Sequence, residues 1–121
     1  MTQGTGPKPQ RAQKVLVNFS LYTDGFPEDG GTFLDSSEGL FGVEFMVGIN
    51  QVIKGWDLEL LEMQQGETRR FVLPPELGYG DKGYKSLPGG TTLYYEVTLK
   101  EVTPMRPLEE DQVEWLKNHP L

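Results

Sequence analysis

Few residues of this chain could do chemistry, and hardly any of them are nucleophiles. There is no cysteine, and the single histidine, His119, stands close to the C-terminus. Disulfides and thiolate metal sites are thereby excluded, and metal chemistry or a Ser–His–Asp arrangement is poorly served. What remains is Asp35 ahead of Ser36-Ser37, Tyr79 between Gly78 and Gly80, and Trp56 among aliphatic residues. Asp35 with a serine lacks the base that a hydrolase needs. Each residue also has a plainer use. Asp35 can cap a turn, Tyr79 can shield a turn's backbone, and Trp56, Phe45 and Tyr95 on apolar faces can be core. A chain rich in aromatic and aliphatic side chains and poor in reactive polar ones suits chemistry done by burial and shape better than hydrolysis.

The elements that must position these residues are legible in the spacing. Trp56, Leu60 and Met63 recur at i, i+4 and i+7, Leu61 widens the stripe, and Asp57, Glu59 and Glu62 take the other side; this predicts a short amphipathic helix opening at Trp56. Asp57 and Glu59 sit in its first turn, where the helix dipole favours them, and Gly66 stands where a left-handed residue would stop it. A strand is expected through Arg69–Leu73, ended by Pro74-Pro75. Val15, Val17, Phe19 and Leu21 alternate with Leu16, Asn18, Ser20 and Tyr22, and Leu93, Tyr95, Val97 and Leu99 alternate with Tyr94, Glu96, Thr98 and Lys100. Val43–Val47 is a shorter strand. Thr23–Thr32 is a turn-rich connection in which Phe26 packs locally or faces solvent, and Asp81–Gly90 is a loop with Tyr84 and Lys85 near its tip. Regular alternation implies an antiparallel sheet with one face covered and one wet. One short helix is the natural cover, which makes the domain α+β.

Composition sets the bounds. At 121 residues the chain supports one domain with a core of its own. A net charge of −7 and a pI near 4.6 argue against nucleic acid or an anionic membrane as the main partner. No apolar run approaches a membrane span and no signal peptide is evident, so the compartment is unassigned with the cytoplasm as default; the acidic surface and the lack of a long apolar edge make a monomer the default expectation. Residues 1–14 are polar and rich in Gly and Pro and are expected to be a flexible segment. The domain is placed at 15–103 and a C-terminal tail at 104–121. In the tail Leu108, Val113 and Leu116 form a weak helical pattern, with Pro107 acceptable at the first helical position. Trp115 is either an anchor for a partner or part of a linker or tail packed loosely on the domain itself.

The strings VIKGW at Val52–Trp56, PPELGYG at Pro74–Gly80 and LPGG with T-LYYEV up to Val97 stand in one order, with the DSS of Asp35–Ser37 and FMVG of Phe45–Gly48 before them. In this order and over roughly Val15–Val102 the chain resembles the FKBP-type peptidyl-prolyl cis-trans isomerases. The resemblance implies a twisted antiparallel β-sheet curled around one short amphipathic α-helix, with a ligand cleft between them. Family domains normally carry one more strand at the start. Either this sheet has one strand fewer or the sequence is part of something longer. The implied activity is rotation about Xaa-Pro bonds in peptides and unfolded proteins, with Leu or Phe preferred before proline and no cofactor required. The barrier of about 18–20 kcal/mol reflects lost imide resonance, so an apolar pocket fitting the twisted form is enough to lower it.

The resemblance also implies roles. Trp56 is the pocket floor beneath the proline ring, and Val52 and Ile53 form a wall whose Ile53 N–H meets a substrate carbonyl. Tyr79 donates its hydroxyl to a carbonyl, and Phe19, Phe45 and Tyr95 close the sides. Leu87 lies above, and Asp35 is polar at the rim, bonded to tyrosine or substrate groups. The chain departs from the family's usual Tyr at Phe19 and its usual Phe at Leu34, Val43 and Tyr95. Leu34 and Val43 shrink an aromatic wall, and Tyr95 brings a hydroxyl that needs a partner if buried. Macrolides of the tacrolimus and rapamycin type are the implied small-molecule ligands. The alternative is a binding or chaperone module on the same fold that holds a partner through its cleft and C-terminal tail.

Overall fold

The computed structural model describes residues 3–37, 42–84, 87–104 and 107–121. Lys85, expected at the loop tip, and residues 38–41 of the glycine-punctuated stretch before Gly42 lie outside the described residues. The architecture is α+β, as the alternation implies. Among the described residues five antiparallel strands, β1 (Lys14–Thr23), β2 (Thr32–Ser36), β3 (Val43–Met46), β4 (Thr68–Leu73) and β5 (Leu93–Val102), form one open sheet. Its path runs β2-β1-β5-β4, with β3 also on β1. β1 is shared lengthwise: Lys14–Val17 pair with β3, and Ser20–Thr23 pair with β2. At the break the buried Ser37 stands in for a strand. It donates its N–H to the Phe19 carbonyl at 3.0 Å, and its Oγ accepts the Phe19 N–H at 2.9 Å and meets Asn18 Oδ1 at 3.0 Å.

The helix α1 (Lys54–Glu62) covers one face of the sheet. It begins two residues earlier than the apolar spacing suggests, because Lys54 and Gly55 are helical without adding to the stripe. Gly55 is needed there, since a Cβ would lie 2.4 Å from the Leu73 methyls. Trp56, Leu60 and Met63 are buried against Val15, Val17, Leu21, Leu73, Val97 and Leu99, forming the core. At about 25 cal/mol per Å² of apolar surface, such burial is the main term holding helix to sheet. Arg69 of β4 adds an ion pair to Glu59 of α1 at 3.1 Å.

Two helix expectations are corrected. Gly66 does not stop α1, which ends at Glu62 with Met63 already extended. Gly66 takes its positive φ of 92° in the separate turn closed by the Glu67 N–H on Gln64 O. Asp57 is not on the solvent side either. It is fully buried, for a reason given below.

Thr32–Ser36 is a strand although nothing in its pattern marks it, because every residue from Thr32 to Asp35 is exposed and none is selected for burial. Phe26 packs locally, edge to face on Tyr22 at 6.4 Å and Tyr94 at 5.4 Å, with the Arg70 guanidinium 4.6 Å from its ring centre. Residues ahead of β1 also make defined bonds. Gly6 and Gln65 are linked through Gly6 N–H to Gln65 O at 3.1 Å, Gln65 donates to Pro7 O, and Ala12 and Gln13 exchange bonds with Val47. The tail contains the helix α2 (Glu110–Asn118), opened by a capping box between Glu109 and Gln112. Pro107 precedes that cap and is not the first helical residue. Trp115 is 39% exposed and stacks on the His119 ring with centroids 4.1 Å apart.

Candidate functional site

A cleft of about 610 Å³ opens between α1, the sheet and the loop following β4. Its floor is Trp56, held by the start of α1 and by three rings. Phe19 and Tyr95 meet it edge-on at 5.3 Å, and Phe45 lies 5.8 Å away. Trp56 is only 5% exposed, so it is at once core and floor. Its Nε1–H has no hydrogen-bond partner among the described residues. Val52 and Ile53 lead into α1 and form one wall. The Ile53 carbonyl accepts the N–H groups of Trp56 and Asp57. No group among the described residues accepts from the Ile53 N–H itself.

Opposite them stand the aromatic residues of the loops. Tyr79 follows the Pro75–Leu77 turn and stacks on Tyr84 at 4.8 Å with rings 14° apart. Tyr84 and Leu87 face each other through a pair of backbone bonds at 3.1 and 2.8 Å, bringing both over the cleft. Tyr95 is 3% exposed on β5, and its hydroxyl lies near enough to that of Tyr79 for each to shift the ionisation of the other. Burial pushes the Tyr79 hydroxyl above the ordinary tyrosine value, against a lowering from the neighbouring Tyr95 hydroxyl. Burial pushes Tyr95 further still, helped by Tyr79 and by the negative charge of Asp35.

Phe19, Leu34, Asp35, Val52, Ile53, Trp56, Tyr79, Leu87 and Tyr95 all line this cleft. Phe45 does not. It is buried behind Trp56 and supports the floor instead of closing a side. Asp35 is exposed at the rim. Its Oδ1 accepts the Ser36 N–H at 2.8 Å, which is the local turn use of an aspartate. Leu21, Asn50, Gln51 and Tyr84 also line the cleft, none of them expected in a site. Asn50 reaches it from a turn at φ 65°, which no periodicity announces. Among the described residues no cluster of three or more His, Cys, Asp or Glu could hold a metal ion, and no helix is long and apolar enough to cross a membrane.

Residues 6–100 match the family described as FKBP-type peptidyl-prolyl cis-trans isomerase. The chain is 37% identical over 105 residues to FK506-binding protein 1 of Gibberella zeae, covering 84% of this chain and 93% of that protein. It is 44% identical over 95 residues to the peptidyl-prolyl cis-trans isomerase FKBP2 of Mus musculus, covering 78% and 67% respectively. Among solved structures it resembles a peptidyl-prolyl cis-trans isomerase of Pseudomonas syringae pv. tomato, with a TM-score of 0.73 at 30% identity over 86% of this chain and 72% of that one. AtFKBP13 is equally similar in shape, with a TM-score of 0.73 at 28% identity over 84% of this chain and 87% of that one.

Proposed function

The chain belongs to the FKBP-type peptidyl-prolyl cis-trans isomerases, and we propose that it turns Xaa-Pro bonds in the cleft over Trp56, acting on exposed prolines of peptides and unfolded chains. The proline ring lies on the indole. The apolar sides made by Phe19, Val52, Tyr95 and Leu87 strip water from the imide. This favours the twisted form, in which resonance is lost and the carbonyl carries less charge. The Ile53 N–H and the Tyr79 hydroxyl hold flanking carbonyls, so that only the imide rotates. No bond is made or broken and no cofactor takes part. Lowering the barrier by about 8 kcal/mol gives roughly a million-fold acceleration.

The observation that carries this reading is the convergence of Trp56, the unengaged Ile53 N–H and Tyr79 on one cleft. Leu or Phe is the preferred residue before proline, because among the described residues that line the cleft Asp35 alone is charged. Tacrolimus-type macrolides occupy the same space, as the names of the FK506-binding relatives suggest. The test is isomerisation of a short Leu-Pro peptide followed by NMR exchange, with and without tacrolimus. Acceleration abolished by the drug supports the whole reading. Acceleration that the drug leaves intact removes the macrolide from it. A folded chain with no acceleration turns the cleft into a binding site only.

A further inference from the structure

Asp57 is a fully buried carboxylate for which rotation over Trp56 has no direct use. Both its oxygens serve one turn. Oδ1 accepts the Gly48 N–H at 2.7 Å and Oδ2 the Asn50 N–H at 3.0 Å. Gly48 is held from its other side by Arg11, whose Nε donates to the Gly48 carbonyl at 2.8 Å. The remaining guanidinium N–H groups reach the carbonyls of Leu116 at 3.2 Å and His119 at 2.5 Å, at the end of α2. That end concentrates negative partial charge, which suits an arginine fork. The turn so gripped runs directly into the cleft. Asn50, Gln51, Val52 and Ile53 are all lining residues, and Asn50 is in the left-handed region.

We propose that Asp57 and Arg11 are positioning residues for the isomerase. From inside and outside they fix Gly48 and Asn50, and so hold the Asn50–Ile53 wall and its free Ile53 N–H at a set distance from Trp56. The end of α2 anchors Arg11. This inference rests on the function proposed above. Hydrogen bonds to an ionised group are about twice as strong as neutral ones. Opening the turn strands a buried carboxylate without partners, which is far costlier than losing a neutral bond. Asparagine tolerates the left-handed region better than most residues, and the bond from its N–H to Asp57 fixes Asn50 there. The wall is pre-organised before substrate arrives, which cuts the ordering cost of binding. The C-terminal helix, remote from the cleft in sequence, supports its wall through one arginine.

The test uses the full chain and two readouts, the kinetic constants on a Leu-Pro peptide and the amide hydrogen exchange of Asn50. The variants are Arg11→Ala, Asp57→Asn and, as a control for general destabilisation, the core truncation Val97→Ala. Arg11→Ala is expected to raise KM about fivefold with kcat within about twofold, the pattern of lost ground-state binding. It should speed Asn50 exchange about tenfold beyond Val97→Ala at matched thermal stability. Asp57→Asn leaves one acceptor oxygen for two donors and moves both readouts further. Should Asp57→Asn fail to fold, Arg11→Ala alone decides. The proposal is overturned if KM or exchange in Arg11→Ala moves no further than in Val97→Ala. A wild-type chain with no turnover refutes the isomerase reading instead, and the exchange rates still test the grip on the turn.

Discussion

The hydroxyl of Tyr95, on a buried strand face, lies beside that of Tyr79, on the loop across the cleft, and each shifts the ionisation of the other. The resembled family usually carries phenylalanine where Tyr95 stands, so this chain has a polar atom at that place in its core.

Tyr95→Phe should lower kcat/KM about threefold in the wild-type chain and leave it unchanged in a Tyr79→Phe background. A hydroxyl that acts only through its neighbour on Tyr79 has nothing to act on once that neighbour is gone. Isomerase assays on the two single variants and the double variant read this directly. Equal losses in both backgrounds would show that Tyr95 shapes the cleft by packing alone.

Stability should be flat through neutral pH and fall in alkali. The folded chain holds the Tyr95 proton more tightly than the unfolded chain does, chiefly through burial. Its contribution is thus complete below the unfolded-state value of about 10 and is lost as pH climbs from there towards the higher folded-state value. Tyr79 acts in the same direction, moderated by its exposure. Urea midpoints between pH 7 and 11 should show the fall, and Tyr95→Phe should make it shallower.

Tyr79→Phe and Trp56→Ala should separate binding from folding. Removing one partly exposed hydroxyl weakens tacrolimus binding about tenfold and costs less than about 1.5 kcal/mol of stability. Removing the nearly buried indole costs about 3–5 kcal/mol and abolishes binding. Calorimetric titration paired with thermal melts distinguishes the two. Tyr79→Phe with unchanged affinity would take Tyr79 out of the site.

Leu34→Phe should raise kcat/KM about twofold to threefold with stability changed by less than about 0.5 kcal/mol. Leu34 lines the cleft yet is 39% exposed, so a larger ring has room to extend the wall without overpacking the core. No change in turnover would mean that this rim does not touch the substrate.

Periodicity was a good guide wherever one face is dry. Val15–Leu21, Leu93–Leu99 and the Trp56–Met63 stripe are legible because alternate or fourth residues are buried and their neighbours are not. The same logic fails for Asp57, where helical spacing places a carboxylate with Glu59 and Glu62. Only the turn at Gly48–Asn50, brought over it by the fold, explains why its charge is inside. Thr32–Ser36 is invisible for the opposite reason, since a strand exposed on both sides selects no pattern. In the cleft, pattern alone leaves Trp56 and Tyr95 as core, which they also are. Their place in a site came from resemblance. Asn50 and Gln51 enter through a left-handed turn, and nothing in their side chains advertises it.

The pairing of β1 with β5 sets Val15 opposite Val102 and Tyr22 opposite Tyr94, so the first strand of the sheet waits for the last. The loop that must close between them spans nearly the whole domain, and topologies of this kind fold in milliseconds to seconds. On a ribosome adding about 5–20 residues per second, the apolar face of β1 emerges on the order of ten seconds before its main partner. Until Val102 is synthesised, a protein whose family works on other chains' prolines is itself an unfinished client with a bare strand edge.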